Sequence, residues 1–275
     1  MSFSISGKTA IVTGAANGIG LSIARHFADR GANVICADID EKRLVDEWGP
    51  NPDDGVDEPS NTRIFAGDLR QKLTIANLLS ATIDSFERVD ILVNASRQVL
   101  LADPLDVDNG AVQTLLDQNL MTSLRLSQLV ARRMIQQGEG LDEEEQTSPL
   151  GAIVNLSSVA ATRTQPGLMA YSIASAALDQ MTRSLAVALA SHRIRVNAVA
   201  FGSVMSASLR DAIRETGDTR ADIIEGTPLG RIASANELAE AVQFLASEGS
   251  GFMTGHILTV DGGRSLLDVV GNPCH

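Results

Sequence analysis

The segment Thr9-Ala10-Ile11-Val12 runs without a break into Thr13-Gly14-Ala15-Ala16-Asn17-Gly18-Ile19-Gly20, and the residues from Leu21 to Arg30 then follow a helical pattern. A buried strand, a glycine-rich turn and a helix in immediate succession leave a chain few ways to fold. The strand needs neighbours at both edges and cover on both faces, and the helix that follows is its first cover. Glycines at this turn let the backbone bend sharply and approach a ligand closely, while the free N–H groups of the helix start face an anion. The arrangement suits a diphosphate. It gains weight from the next apolar run, Asn33-Val34-Ile35-Cys36-Ala37, which ends on Asp38, 18 residues past Gly20. A carboxylate at that strand tip accepts hydrogen bonds from a ribose diol and repels a 2′-phosphate. Asn17 stands where a basic residue would favour the phosphorylated cofactor. The expected cofactor is therefore NAD, held by Gly14, Asn17, Gly18, Ile19, Gly20 and Asp38.

Further along, apolar runs predict strands from Arg63 to Ala66, Val89 to Val93, Ala152 to Leu156, Ile194 to Val199 and around Ile257 to Val260. Between them, helical periodicity covers Gln71 to Phe86, Ala111 to Gln137, Tyr171 to Ala190 and Ala235 to Ser247. This alternation means an α/β chain: a doubly wound, Rossmann-type parallel sheet with helices on both faces and right-handed crossovers. No linker or repeat interrupts the 275 residues, so one dinucleotide-binding domain over 1–275 is expected. Trp48 to Thr62 and the acid-rich residues 138–145 read as surface loops. Asp68-Leu69, at the end of the third strand, is placed for the adenine amino group or for a helix N-cap.

Composition narrows the partners. A net charge of −12 argues against nucleic acid and anionic membranes, both of which need an excess of Lys and Arg. No apolar run approaches the roughly 20 residues of a membrane span, and the first residues lack a secretory pattern, so a cytoplasmic location is expected. Two cysteines, Cys36 and Cys274, do not make a disulfide framework or a metal cluster.

The stretch from Ser157 to Ser175 carries the candidate chemistry. It follows the apolar run Ala152-Ile153-Val154-Asn155-Leu156 and delivers two serine hydroxyls and then Tyr171, the only tyrosine in the chain. A phenol has a transferable proton, and a serine beside it can hold a substrate oxygen.

With these residues in place, the chain resembles the short-chain dehydrogenase/reductase family over nearly its whole length. The likeness rests on Thr13-Gly14-x-x-x-Gly18-Ile19-Gly20, on Asp38, on Ile153-Val154-Asn155-x-Ser157-Ser158 with Tyr171 thirteen residues beyond Ser158, and on Val260-Asp261-Gly262-Gly263. Pro228-Leu229-Gly230-Arg231 also matches a common family segment. The resemblance implies hydride transfer between the nicotinamide and a secondary alcohol or ketone. Tyr171 would exchange the proton of the reacting oxygen, Ser158 would hydrogen-bond that oxygen, and Asn119 would interrupt its helix to hold a water in a proton path. It further implies cofactor contacts from Asp68, Leu69, Asn94, Ser175, Gly202, Val204 and Ser206, no metal, and a homotetramer or homodimer. The small-residue helix from Tyr171 to Ala190 would form the subunit contact.

Two departures from the family pattern qualify this. The family has a lysine four residues after the tyrosine, and here Ser175 stands there. That ammonium holds the nicotinamide ribose and favours the phenolate. At about 5 Å and an effective dielectric of about 20, a unit charge contributes roughly 3 kcal/mol. Without a substitute, Tyr171 is a poor base at neutral pH. After the fourth strand the family has Asn-Asn-Ala-Gly, whereas Asn94-Ala95-Ser96-Arg97 puts a cation where a glycine would lie beside the cofactor. The expectation is that Arg97, with Arg163 as the weaker candidate, reaches Tyr171 and partly replaces the lysine. Phe201 also replaces a proline, a change of packing over the nicotinamide or the substrate. The alternatives are a relative that binds NAD with little or no redox activity, as a pseudoenzyme or sensor, and one that performs lyase-type chemistry.

Overall fold

In the computed structural model, which describes residues 3–51, 60–139, 149–205, 209 and 219–268, strands and helices alternate. The first unit is β1 (Thr9–Thr13), α1 (Gly18–Asp29), β2 (Asn33–Asp38), α2 (Glu41–Trp48) and β3 (Thr62–Ala66). Next come α3 (Lys72–Phe86), β4 (Ile91–Asn94), α4 (Ala111–Leu115), a π-turn over Leu116–Met121, and α5 (Thr122–Gln137). The chain continues through β5 (Gly151–Ser158), α6 (Met169–Ala190), β6 (Ile194–Phe201), the short β7 (Val204–Met205), α7 (Thr219–Glu225), the short β8 (Ala233–Ser234), α8 (Ala235–Ala246) and β9 (Ile257–Val260).

Seven strands form a parallel sheet in the order β3-β2-β1-β4-β5-β6-β9. The chain winds outward from β1 to β3, then returns to lay β4 on the other side of β1. The crevice beyond the carboxyl ends of β1 and β4 is thus a switch point, where sheets of this kind take their ligands. Strand alternation explains how both faces are filled. Ala10 and Val12 of β1 join Ile23 and Phe27 of α1 and Leu238 and Val242 of α8 on one face. Ile11 points the other way, to Leu78 of α3 and Leu126, Val130 and Met134 of α5. All these residues are fully buried, and each large side chain so placed contributes about 1.5–3 kcal/mol.

Two elements differ from the sequence pattern. The helix expected from Ala111 to Gln137 is broken by the π-turn, whose buried Asn119 faces inward to neighbouring backbone. Periodicity does not register such a break, because one inserted residue leaves an apolar stripe on each side. Trp48 does not begin a loop but closes α2, packs half-buried against the core, and donates from Nε1 to the carbonyl of Ala15 at 3.1 Å. Cys36, in the middle of β2, is fully buried, and burial pushes its thiol far up. Ser206, Cys274 and residues 52–59 and 140–148 lie outside the described residues.

Candidate active site

The first half of the site is made of backbone. Gly14 has φ +70, and a Cβ there would lie 3.0 Å from the carbonyl oxygen of Ala95, so β1 and β4 can meet only if this residue has no side chain. Gly20 is tighter: its Cβ would stand 2.1 Å from the Gly14 carbonyl oxygen. Helix α1 begins at Gly18, inside the glycine turn, and its N-cap Asn17 makes no side-chain capping bond. The N–H groups of the helix start are therefore left for a ligand, with the positive end of the helix dipole behind them. Ile19 is half-buried against the core. Asp38, at the tip of β2, accepts from the Ala16 N–H at 3.0 Å and the Asp40 N–H at 3.1 Å, and so joins the turn to the second strand. Asp68 is engaged by Arg70 instead of capping α3; the guanidinium beside it holds its carboxyl below the usual carboxylate range. Leu69 next to it is buried.

The second half is made of side chains, drawn from the ends of four strands and from α6. Thr13 Oγ1 accepts from the N–H groups of Ala95 and Ser96, both at 3.0 Å, and so fixes how the chain leaves β4. Asn94 is 4% exposed and spends its amide on Ser127 Oγ (3.0 Å) and Asn155 Oδ1 (2.8 Å). Asn155 in turn donates to Thr182 of α6 at 2.9 Å. This polar ladder ties β4, β5, α5 and α6 together under the site. Asn94 thus serves as a brace within the described residues.

Asn119 grips the segment after β4 from above. Its Oδ1 accepts from the Gln98 N–H and its Nδ2 donates to the Gln98 carbonyl, each at 2.8 Å, while its own carbonyl accepts from Ser123 Oγ at 3.0 Å. Both ends of the amide are committed to the residue that follows Arg97.

From that anchored segment the Arg97 side chain crosses to α6. Its Nη1 donates to the Tyr171 hydroxyl at 2.5 Å and, at 3.4 Å, to the Ser157 carbonyl. The guanidinium carbon lies 4.1 Å from the centre of the Phe201 ring. Among the described residues no carboxylate pairs with Arg97. Arg163, the weaker candidate, turns away and donates to the Ser265 carbonyl. Tyr171 is 5% exposed, its ring packed with Leu115, Ala160 and Ala174. Ser158, opposite Phe201 across β5 and β6, accepts from the Ala160 N–H at 3.1 Å, which leaves its own hydrogen to donate. Ser175 sits one turn beyond Tyr171. It lines a cavity of about 10 Å³ with Asn94, Ser96, Arg97, Asn119 and Tyr171, room for about one water. Gly202 lies against Asp261, where a Cβ would be 3.2 Å from the aspartate Cβ, and Val204 is buried in β7. The contacts of Asn119 and Phe201 with the Arg97 segment join residues far apart in the chain, and nothing in the sequence pattern signals them.

The glycine turn fits a dinucleotide: a cradle that any Cβ at position 20 would fill, uncapped N–H groups, and a carboxylate at the next strand tip. The comparisons with known proteins agree. A family model described as enoyl-(acyl carrier protein) reductase matches residues 14–265. L-fucose dehydrogenase of Mus musculus is 32% identical over 95% of this chain and 89% of its own length. A 3-oxoacyl-(acyl-carrier-protein) reductase of Thermotoga maritima is 32% identical over 94% and 98%. A solved 7α-hydroxysteroid dehydrogenase, complexed with NADH and a 7-oxo bile acid, superimposes with a TM-score of 0.82 at 29% identity, covering 95% of each chain. The chain belongs to the short-chain dehydrogenase/reductase family, whose members bind a nicotinamide cofactor.

Proposed function

We propose that this protein is a NAD-dependent oxidoreductase that moves a hydride between the nicotinamide and a secondary alcohol or ketone. The observation that carries the proposal is the 2.5 Å contact between Arg97 Nη1 and the Tyr171 hydroxyl. Gly14, Gly18, Gly20 and the start of α1 would hold the diphosphate, and Asp38 the adenosine ribose. The nicotinamide, when bound, supplies or accepts the hydride. Tyr171 gives its phenolic proton to the ketone oxygen or takes it from the alcohol, and Ser158 steadies that oxygen by a hydrogen bond. The Arg97 cation favours the phenolate and so does the electrostatic work of the lysine that Ser175 replaces. Asn119 acts as a positioning residue for the Arg97 segment. The substrate is a small alcohol or carbonyl compound, and the working form is a homotetramer or homodimer. Ile173 and Val187, exposed on α6 at 42% and 81%, support contact through that helix.

A second reading has one observation in its favour. The phenol oxygen that should serve the substrate already accepts a bond from Arg97, as suits a relative that binds NAD without turnover. One experiment separates the two: NADH binding read by Trp48 fluorescence, followed by turnover on a panel of secondary alcohols and ketones from about pH 6 to about pH 10. Binding with turnover is expected. Binding without hydride transfer at any pH sinks the oxidoreductase reading. With the same panel, Ser175→Lys is expected to change the rate near neutral pH by less than about threefold, because a cation already reaches the phenol. A gain of tenfold or more overturns the role given to Arg97.

A further inference from the structure

Fixing where Arg97 leaves the backbone does not fix where its charge lies. Thr13 and Asn119 hold the segment on either side, but four side-chain torsions separate Cα from the guanidinium, and a free arginine would spread its head over many positions. Its bond to the Ser157 carbonyl is long, at 3.4 Å, and among the described residues no carboxylate directs it. What remains is the Phe201 ring. Phe201 ends β6, is 3% exposed, and presents its face 4.1 Å from the guanidinium carbon, well inside the range of a cation–π contact; the Tyr171 ring is farther, at 5.8 Å.

We infer that Phe201 is a positioning residue: its ring is the platform that aims the Arg97 guanidinium at the Tyr171 hydroxyl. The inference rests on the role proposed for Arg97 and deepens it. The plane of the guanidinium can stack on the ring and still point one N–H edge at the phenol, which a lysine ammonium cannot do. The phenyl face also excludes water from one side of the cation, so the charge is less screened than it would be in solvent. The ring therefore belongs with the cation. An arginine at 97 without an aromatic at 201 would lose its direction, and an aromatic at 201 without the arginine would only pack.

The chain's single tyrosine makes the test direct, since near-ultraviolet tyrosinate absorbance reports Tyr171 alone. Other charged groups near it on the packed elements are Asp179, two turns on along α6 and pushed up by burial, and Asp117 of the π-turn, which accepts from Gln113; none of the variants touches either. Arg97→Met, Phe201→Leu and the double variant are compared with the parent, with Phe201→Met run in parallel should the leucine variant not fold. Phe201→Leu is expected to move the onset of tyrosinate absorbance about one pH unit higher, a tenfold effect, with Arg97→Met moving it at least as far. The double variant should match Arg97→Met alone, because the ring acts only through the cation. An unchanged onset in both Phe201 variants overturns the inference. So does an equal shift with and without Arg97, which would mark the ring as ordinary packing. Turnover plays no part in this readout. A coupled shift in a protein that transfers no hydride would leave Phe201 its role and sink the oxidoreductase reading, and active enzyme without the shift would do the reverse.

Discussion

The two ends of the site are built from opposite materials. At the phosphate end, Gly14, Gly18, Gly20 and the uncapped start of α1 make a cradle from main chain, with Asp38 as its one charged side chain. At the proton end nearly everything is side chain: Arg97 from beyond β4, Tyr171 from α6, Ser158 and Phe201 from β5 and β6, and Asn119 from a π-turn. A backbone cradle tolerates no added atom but is indifferent to charge. A side-chain cluster can exchange one cation for another if the new one is aimed. Each end also carries one aromatic reporter, Trp48 bonded to the glycine turn and Tyr171 bonded to Arg97, so the ends can be perturbed and read separately.

The largest effect is expected from Gly20→Ala. The new Cβ would meet the Gly14 carbonyl oxygen at 2.1 Å and its carbon at 2.7 Å, both backbone atoms that no rotamer change can move aside. Strand β1 and helix α1 must separate, at a cost of at least about 1–3 kcal/mol, which lowers Tm by several degrees in a chain of this size. NADH binding, read by Trp48, should weaken about 100-fold or more while the tyrosinate onset of Tyr171 stays in place. Binding kept within a few-fold would break the comparison, because the cradle would then not depend on contact between bare backbones.

Arg97→Met comes next. Methionine keeps much of the stem and removes the charge. Losing a cation beside a phenol disfavours the phenolate, so the deprotonated base appears at higher pH and the rate near neutrality falls. A fall of about 10–100-fold is expected, recovered as the pH rises, with NADH affinity changed by less than about threefold. The reverse pattern, weak NADH binding with an intact pH profile, would move Arg97 to the phosphate end.

The same contrast explains what could be read from the sequence. Main-chain geometry leaves a local record: Gly20 and Gly14 must be glycine because of atoms within a few residues or one strand away, and Thr9 to Asp38 display strand, turn, helix and acid in a single run. The sheet order follows from the same alternation. The proton end leaves a scattered record. Arg97, Asn119, Tyr171 and Phe201 are visible one by one, and the absence of a lysine at position 175 raises the question of a substitute, so Arg97 could be singled out as a candidate. Its contact with Phe201, the double bond from Asn119 to Gln98, and the brace from Asn94 through Asn155 to Thr182 join residues 21 to 104 positions apart, and no local pattern encodes such a pairing. For the same reason Arg163 looked eligible until its bond to Ser265 showed where it points.

The smallest expected effect probes the one charged side chain at the phosphate end. Asp38 has two tasks that the structure superimposes: it accepts the Ala16 N–H and so shapes the glycine turn, and it sets a negative charge where a cofactor ribose would lie. Asp38→Asn preserves the shape and one acceptor but removes the charge. If bracing dominates, NADH and NADPH affinities fall together, since a distorted turn serves neither. If charge dominates, NADH loses the stronger of its ribose hydrogen bonds, about 1.4 kcal/mol or tenfold, whereas NADPH is relieved of repulsion against its 2′-phosphate and holds or gains. The second outcome is expected, with the ratio of the two affinities shrinking about tenfold or more and the change growing smaller as salt screens the phosphate. A parallel loss would make Asp38 one more part of the cradle, and the phosphate end would then be a site built wholly for shape, with its choice of cofactor resting on other residues.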